Sequence, residues 1–156
     1  MDIMEILANN CVSVDLQSNA KDEVLSEMVD LLVSSGEVKG SGKENILKKL
    51  QEREMLGSTG IGKGVAIPHA KCSSVKKMIA ALGISKGGID FRSLDGEPTH
   101  IFFLLVAPGE TPGPHLKALA KISRLLDDRF VRERLKSAKD DQSILKIIKE
   151  ENQKKS

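Results

Sequence analysis

Aromatic residues are scarce in this 156-residue chain, which has no Trp, no Tyr and only four Phe. Platforms on which bases or free sugar rings stack are therefore poorly supplied, which argues against direct carbohydrate binding and against a nucleic-acid partner. Cysteine is limited to Cys11 and Cys72, far apart in sequence, and in a chain without an export signal these read as free thiols. His69-x-x-Cys72 has a ligand-like spacing but lacks the second pair that a zinc site needs, so no metal is expected. No apolar run approaches the roughly 20 residues that span a bilayer. Acidic residues interrupt the apolar positions of the N-terminus, so it does not read as a secretory signal. The formal net charge of +2 is too small to imply nucleic acid or an acidic membrane surface. These absences predict a cytoplasmic protein with no direct membrane insertion.

What remains is an ordinary globular mixture, 40% hydrophobic and 29% charged, long enough for one domain with a real core. Residues 3–8 predict a short helix leading to a strand near residues 12–14. Ser18 and Asn19 are N-cap candidates for a helix whose apolar positions (Val24, Leu25, Met28, Val29, Leu31, Leu32) recur at helical spacing until Gly36. A second helix is predicted from Lys43 to Met55, with Ile46, Leu47 and Leu50 inward and Lys48, Lys49, Glu52 and Glu54 on a solvated face. Residues 78–84 and 100–107 are apolar runs that fit strands buried on both faces. A short strand piece and turn are expected at residues 89–96. The proline-rich residues 108–114 read as loop, with Pro114 at the first position of a helix that carries His115 in its first turn. Leu116, Leu119, Ala120, Ile122 and Leu126 mark that helix's apolar face. A shorter helix carries Phe130, Val131 and Leu135. Asp140 or Asp141 caps a last helix with Ile144, Leu145, Ile147 and Ile148, and residues 151–156 read as a disordered tail. The economical fold is α/β: one domain, helices on both faces of a buried sheet.

The stretch that organises the chain is GSTGIGKGVAIPHA, residues 57–70. Four glycines in eight positions free the backbone to take positive φ and aim its N–H groups at an anion. Pro68 then fixes φ and withholds a donor, so the strand is expected to stop there and leave His69 at its end. Residues 57–64 nearly fit the phosphate loop G-x-x-x-x-G-K-[ST], but Gly64 offers no hydroxyl for magnesium. The loop also follows a helix and enters a strand, the reverse of the nucleotide-binding context. ATP and GTP are therefore not expected. His69 is either a surface histidine on a turn or a nucleophile, since neutral imidazole accepts a phosphoryl group at physiological pH. His115, at a helix start, is either a simple first-turn residue or a group that attracts an anion. Arg53, the Thr59 hydroxyl and His115 are the kinds of donor that would surround a transferring phosphoryl group. Arg53 would also sit at its helix end merely to balance the dipole. His100 opens the buried run as a strand-edge residue, with no function assigned.

The run IGKGVAIPHA at residues 61–70, with Glu54 upstream, resembles the phosphorylation-site signature of the fructose/mannitol-type (type 2) enzyme IIA domains. These belong to the bacterial phosphoenolpyruvate-dependent sugar phosphotransferase system and include nitrogen-regulatory relatives. Arg53–Glu54, Ser58–Thr59–Gly60, His115–Leu116, Leu119–Ala120 and Leu125–Leu126 match the pattern in order, over residues 1–150. The resemblance implies a mixed sheet flanked by helices, a phosphotransferase activity and no cofactor. It implies that His69 accepts a phosphoryl group from an HPr-type carrier protein and passes it to an enzyme IIB domain. Alternatively, its phosphorylation state would control regulated target proteins in nitrogen or potassium functions. His115 would help hold the phosphate, with Arg53 near the site.

Overall fold

In the computed structural model, residues 2–109 and 112–155 are described, of residues 8–10 and 112–114 the backbone alone. The sheet is built around the apolar run at residues 100–107, which becomes β6 (Thr99–Ala107). β5 (Ile79–Ile89) lies antiparallel along one edge of β6, and β1 (Leu7–Ser13) runs parallel to β5 beyond it. Along the other edge β6 pairs in parallel with two short strands in succession, β3 (Val65–Ala66) and β4 (His69–Lys71). β2 (Gly60–Gly62) closes the order as an antiparallel partner of β3. Among the described residues the sheet is thus mixed and six-stranded.

Strand alternation divides β6 between two cores. Ile101, Phe103 and Leu105 face one side, packed with Ile122, Leu126, Val131, Leu135, Ile144 and Ile148 from three C-terminal helices. Phe102, Leu104 and Val106 face the other, against Val24, Met28, Leu32, Ile46 and Leu50. Burial on both faces explains why the run lacks a polar alternation. The helices of the second layer are α2 (Lys21–Ser34) and α3 (Lys43–Met55). α4 (Pro112–Asp127), α5 (Arg129–Lys136) and α6 (Asp141–Lys154) form the first layer, with the short α1 (Ile3–Ile6) beside them.

Several local expectations change in three dimensions. α2 starts after Ala20 with no side-chain cap, because Ser18 turns to the Glu27 carboxylate, donating from its N–H at 3.0 Å and its hydroxyl at 2.7 Å. α4 begins at Pro112 rather than Pro114, which leaves His115 in the first turn; the preceding loop's Glu110 and Thr111 lie outside the described residues. Leu116 and Phe130, read as apolar-face residues, are 65% and 59% exposed, and Ala118 and Leu125 take core positions on α4. The tail expected to be disordered is helical through Lys154. Asn152 Nδ2 donates to Asp2 Oδ1 at 2.6 Å and Lys155 Nζ to Asp128 Oδ2 at 2.8 Å, which ties that helix end to α1 and α5; Ser156 lies outside the described residues. Asp140 does cap α6, its carboxylate accepting from the Ser143 N–H at 2.8 Å.

The glycine stretch folds as a tight hairpin. Lys63 and Gly64 turn the chain from β2 into β3 with φ of 59° and 78°, the pair of left-handed residues that a two-residue hairpin turn demands. Pro68 interrupts the strand without ending it. Its carbonyl accepts from the Leu105 N–H at 2.9 Å, and pairing with β6 resumes at once, His69 opposite Leu105. His69 therefore opens a strand where the sequence predicted that it would follow one.

Candidate functional site

β4 presents His69 between the end of α3 and the start of α4. The half-buried imidazole lines a cleft of about 500 Å3 together with Lys49, Glu52, Arg53 and Leu56 of the α3 end, Lys71 of β4 and His115 of α4. His69 Nδ1 lies 2.8 Å from the Ile67 carbonyl oxygen. A carbonyl only accepts, so Nδ1 carries the proton and the lone pair resides on Nε2. Burial, with the Arg53 charge adding to it, lowers the His69 pKa, opposed by the Ile67 hydrogen bond and the Glu54 charge. A neutral ring with a free Nε2 is the nucleophilic form of histidine.

The His115 ring centroid is 5.5 Å from that of His69, the planes inclined by 53°. His115 is 5% exposed, and its Nδ1 has no hydrogen-bond partner among the described residues. Burial first, then the neighbouring His69 and Lys71, push its pKa down to about 4, so it too is neutral at pH 7. An unsatisfied buried nitrogen costs about 1–3 kcal/mol, a cost that a site accepts where a ligand completes it. Arg53 Nη1 donates to the Gly57 carbonyl at 2.8 Å, so its guanidinium closes its own helix end while lining the cleft. Among the described residues three cations, Lys49, Arg53 and Lys71, and one carboxylate, Glu52, line the cleft, a balance that favours an anionic guest.

Of the four residues singled out from the sequence, His69, His115 and Arg53 meet in this cleft, and Thr59 does not line it. Thr59 is 4% exposed, and its hydroxyl donates to the Glu54 carboxylate in a short hydrogen bond. Four of the glycine-loop N–H groups are likewise engaged internally: Gly57 with the Glu54 carbonyl, Thr59 with Glu54 Oε1, Gly60 with Ser58 Oγ and Lys63 with Asp95. The loop folds as a hairpin, and none of residues 57–64 is among those that line the cleft. Glu54, expected on a solvated face, has a side chain only 6% exposed and an ion pair with Lys21 at 2.9 Å.

Comparison with known proteins places this chain in a family. The family model "Phosphoenolpyruvate-dependent sugar phosphotransferase system, EIIA 2" matches residues 5–151. The chain belongs to the type 2 EIIA family. This EIIA chain is 38% identical over 148 residues to the fructose-specific EIIABC component of Bacillus subtilis, covering 95% of the chain and only 23% of that protein's length. It is 36% identical to a nitrogen regulatory protein of Bradyrhizobium diazoefficiens, covering 95% of each. The crystal structure of the nitrogen regulatory protein IIA-Ntr from Neisseria meningitidis superposes with a TM-score of 0.83 at 29% identity, over 92% of this chain and 97% of that one. The expected α/β fold, a mixed sheet flanked on both faces, is thus the fold of the EIIA family.

Four lining side chains of the EIIA cleft, Lys49, Glu52, Leu56 and Lys71, escaped the sequence reading. Lys49, Glu52, Arg53 and Leu56 fall at i, i+3, i+4 and i+7 and share one face of α3, so Arg53 pointed to the rest. Lys71 lies two residues after His69 in β4 and so faces the same way. The signal for Lys71 was hidden because the strand was expected to end at Pro68.

Among the described residues no helix is long and apolar enough to cross a membrane, and no cluster of His, Cys, Asp or Glu is arranged to hold a metal.

Proposed function

We propose that this EIIA chain is a protein-histidine phosphocarrier: His69 accepts a phosphoryl group from an HPr-type carrier and passes it to an enzyme IIB domain. The observation that carries this reading is the Nδ1 hydrogen bond to Ile67, which leaves Nε2 unprotonated at a cationic cleft. In the forward step the Nε2 lone pair forms a bond to phosphorus while the donor's N–P bond breaks, and the electron pair of that bond returns to the donor's imidazole. His69 keeps its Nδ1 proton, and the Ile67 carbonyl supports the positive charge that N-phosphorylation places on the ring. Arg53 and His115 supply donors to the equatorial oxygens, where such transfers gain most of their stabilisation. The second transfer repeats the exchange with the IIB nucleophile, and no cofactor takes part. The EIIABC relative joins an aligned A component to further components in one chain, which supports a IIB acceptor.

A second reading follows from the nitrogen regulatory relative, which aligns over 95% of both chains. A phosphoryl group adds negative charge beside Arg53 and Lys71 and alters which protein surface fits the cleft, so phosphorylation state would select a regulated target.

The test is incubation with phosphoenolpyruvate, enzyme I and the HPr-type carrier. One acid-labile phosphoryl group is expected on the wild-type chain and none on His69→Ala; labelling of His69→Ala would overturn the assignment. His115→Ala is expected to slow labelling without abolishing it. Capture of a IIB domain by the unphosphorylated chain favours transport, and capture of a sensor kinase or potassium transporter favours regulation.

A further inference from the structure

We propose that Glu54 is a positioning residue for phosphoryl transfer, acting through Thr59 and Ile67 to fix the tautomer and orientation of His69, with Lys21 holding the carboxylate in place. The inference rests on His69 as the phosphoryl acceptor and adds the device that poises it.

The path is continuous in hydrogen bonds. Glu54 Oε1 accepts from Lys21 Nζ at 2.9 Å and from the Thr59 N–H at 3.0 Å, and Oε2 accepts the Thr59 hydroxyl proton. The Thr59 carbonyl accepts from the Ile67 N–H at 3.0 Å. The Ile67 carbonyl accepts from His69 Nδ1 at 2.8 Å. Ile67 is thus gripped at its N–H by Thr59, at its side chain by the core, and at its carbonyl by the nucleophilic ring, with Pro68 stiffening the link between them. If Thr59 moves, the Ile67 carbonyl moves with it, and the proton on Nδ1 loses its fixed acceptor. The proton is then free to move to Nε2, which leaves that nitrogen without the lone pair that attacks phosphorus.

The backbone carbonyl of Glu54, together with its carboxylate grip on Thr59, anchors the loop that holds the second cleft group. Glu54 follows Arg53 in the last turn of α3, and the Gly57 N–H donates to the Glu54 carbonyl at 3.1 Å while the Gly57 carbonyl accepts from Arg53 Nη1 at 2.8 Å. Anchoring residues 57–59 therefore sets Arg53 as well as His69. Lys21 belongs to α2, and its ammonium also stands 4.5 Å from the Phe91 ring centroid and 3.3 Å from the Phe91 carbonyl, so the carboxylate is clamped from the helix layer and not from the cleft. A side chain 6% exposed with an ionised carboxylate needs such partners. The Glu54 charge also raises the His69 pKa against the pull of burial, so removing it moves the His69 titration further down.

The experiment compares wild type with Glu54→Gln, Thr59→Val and the conservative Thr59→Ser by nitrogen-15 NMR of the His69 ring, without any phosphodonor, and by the initial rate of phosphorylation. Wild type and Thr59→Ser are expected to show Nδ1–H with unprotonated Nε2. Glu54→Gln and Thr59→Val are expected to show a mixed tautomer and at least about tenfold slower labelling. Lys21→Met alters a partly exposed residue outside the cleft and serves if either buried variant does not fold; it is expected to give a partial shift in the same direction. A wild-type tautomer signature and labelling rate in the folded variants would overturn the proposal, as would Thr59→Ser behaving like Thr59→Val. Failure of the wild-type chain to take up phosphate would instead refute the acceptor assignment, because the tautomer signature is read without phosphate.

Discussion

His115 makes the acid side of the stability curve a quantitative test of the site. In the unfolded chain its pKa is near 6.5, and in the folded chain burial, His69 and Lys71 hold it at about 4. Between these values the unfolded state binds more protons than the native state, so stability rises with pH. The contribution is present in full above pH 6.5 and is lost progressively as the pH falls to about 4. At 1.36 kcal/mol for each pH unit, the span from 6.5 to about 4 amounts to about 3 kcal/mol. His69 is also lowered and contributes with the same sign, so wild type alone would mix the two. The informative quantity is the difference in urea-unfolding free energy between wild type and His115→Gln, measured from pH 7 to pH 4. That difference is expected to move by about 3 kcal/mol against wild type on acidification, with a His115 NMR titration midpoint near 4. A midpoint at 6 or above with a flat difference would refute the claim that this ring is buried and neutral.

Other substitutions separate function from folding. Arg53→Lys retains the charge but loses the planar fork that both grips Gly57 and faces the cleft. It is expected to slow phosphorylation about tenfold or more while changing stability by less than about 1 kcal/mol, read by labelling rate and urea midpoint. Phe102→Ala removes a fully buried ring that stands edge-on to Phe91 at 5.4 Å, and is expected to cost about 3–5 kcal/mol in urea unfolding. Leu116→Ser, at a residue 65% exposed, is expected to leave stability within about 0.5 kcal/mol. A loss comparable to that of Phe102→Ala would contradict the orientation of α4.

The sequence by itself determined the elements whose signal is local. The bounds and the buried Ile46 and Leu50 of the helix at Lys43–Met55 were legible because their apolar spacing lies within one window. β6 was legible as a continuous apolar run, and its burial between two helix layers follows from that run lacking any polar alternation. His69 stood out because proline and histidine after a glycine-dense stretch constrain the backbone whatever surrounds them. Tertiary structure alone decided where partners came from distant segments. Glu54 occupies a helical position that reads as solvated, and only the approach of Lys21 from α2 and of Thr59 from the hairpin makes its burial tolerable. Leu116 and Phe130 read as apolar-face residues, yet a helix's inward face is set by the sheet it meets, and neither points there. The glycine loop offered free N–H groups in the sequence, and Glu54, Ser58 and Asp95 engaged those of Gly57, Thr59, Gly60 and Lys63. Periodicity is written into neighbouring residues, whereas the partner of a buried charge or an open N–H is chosen by chain segments that meet only on folding.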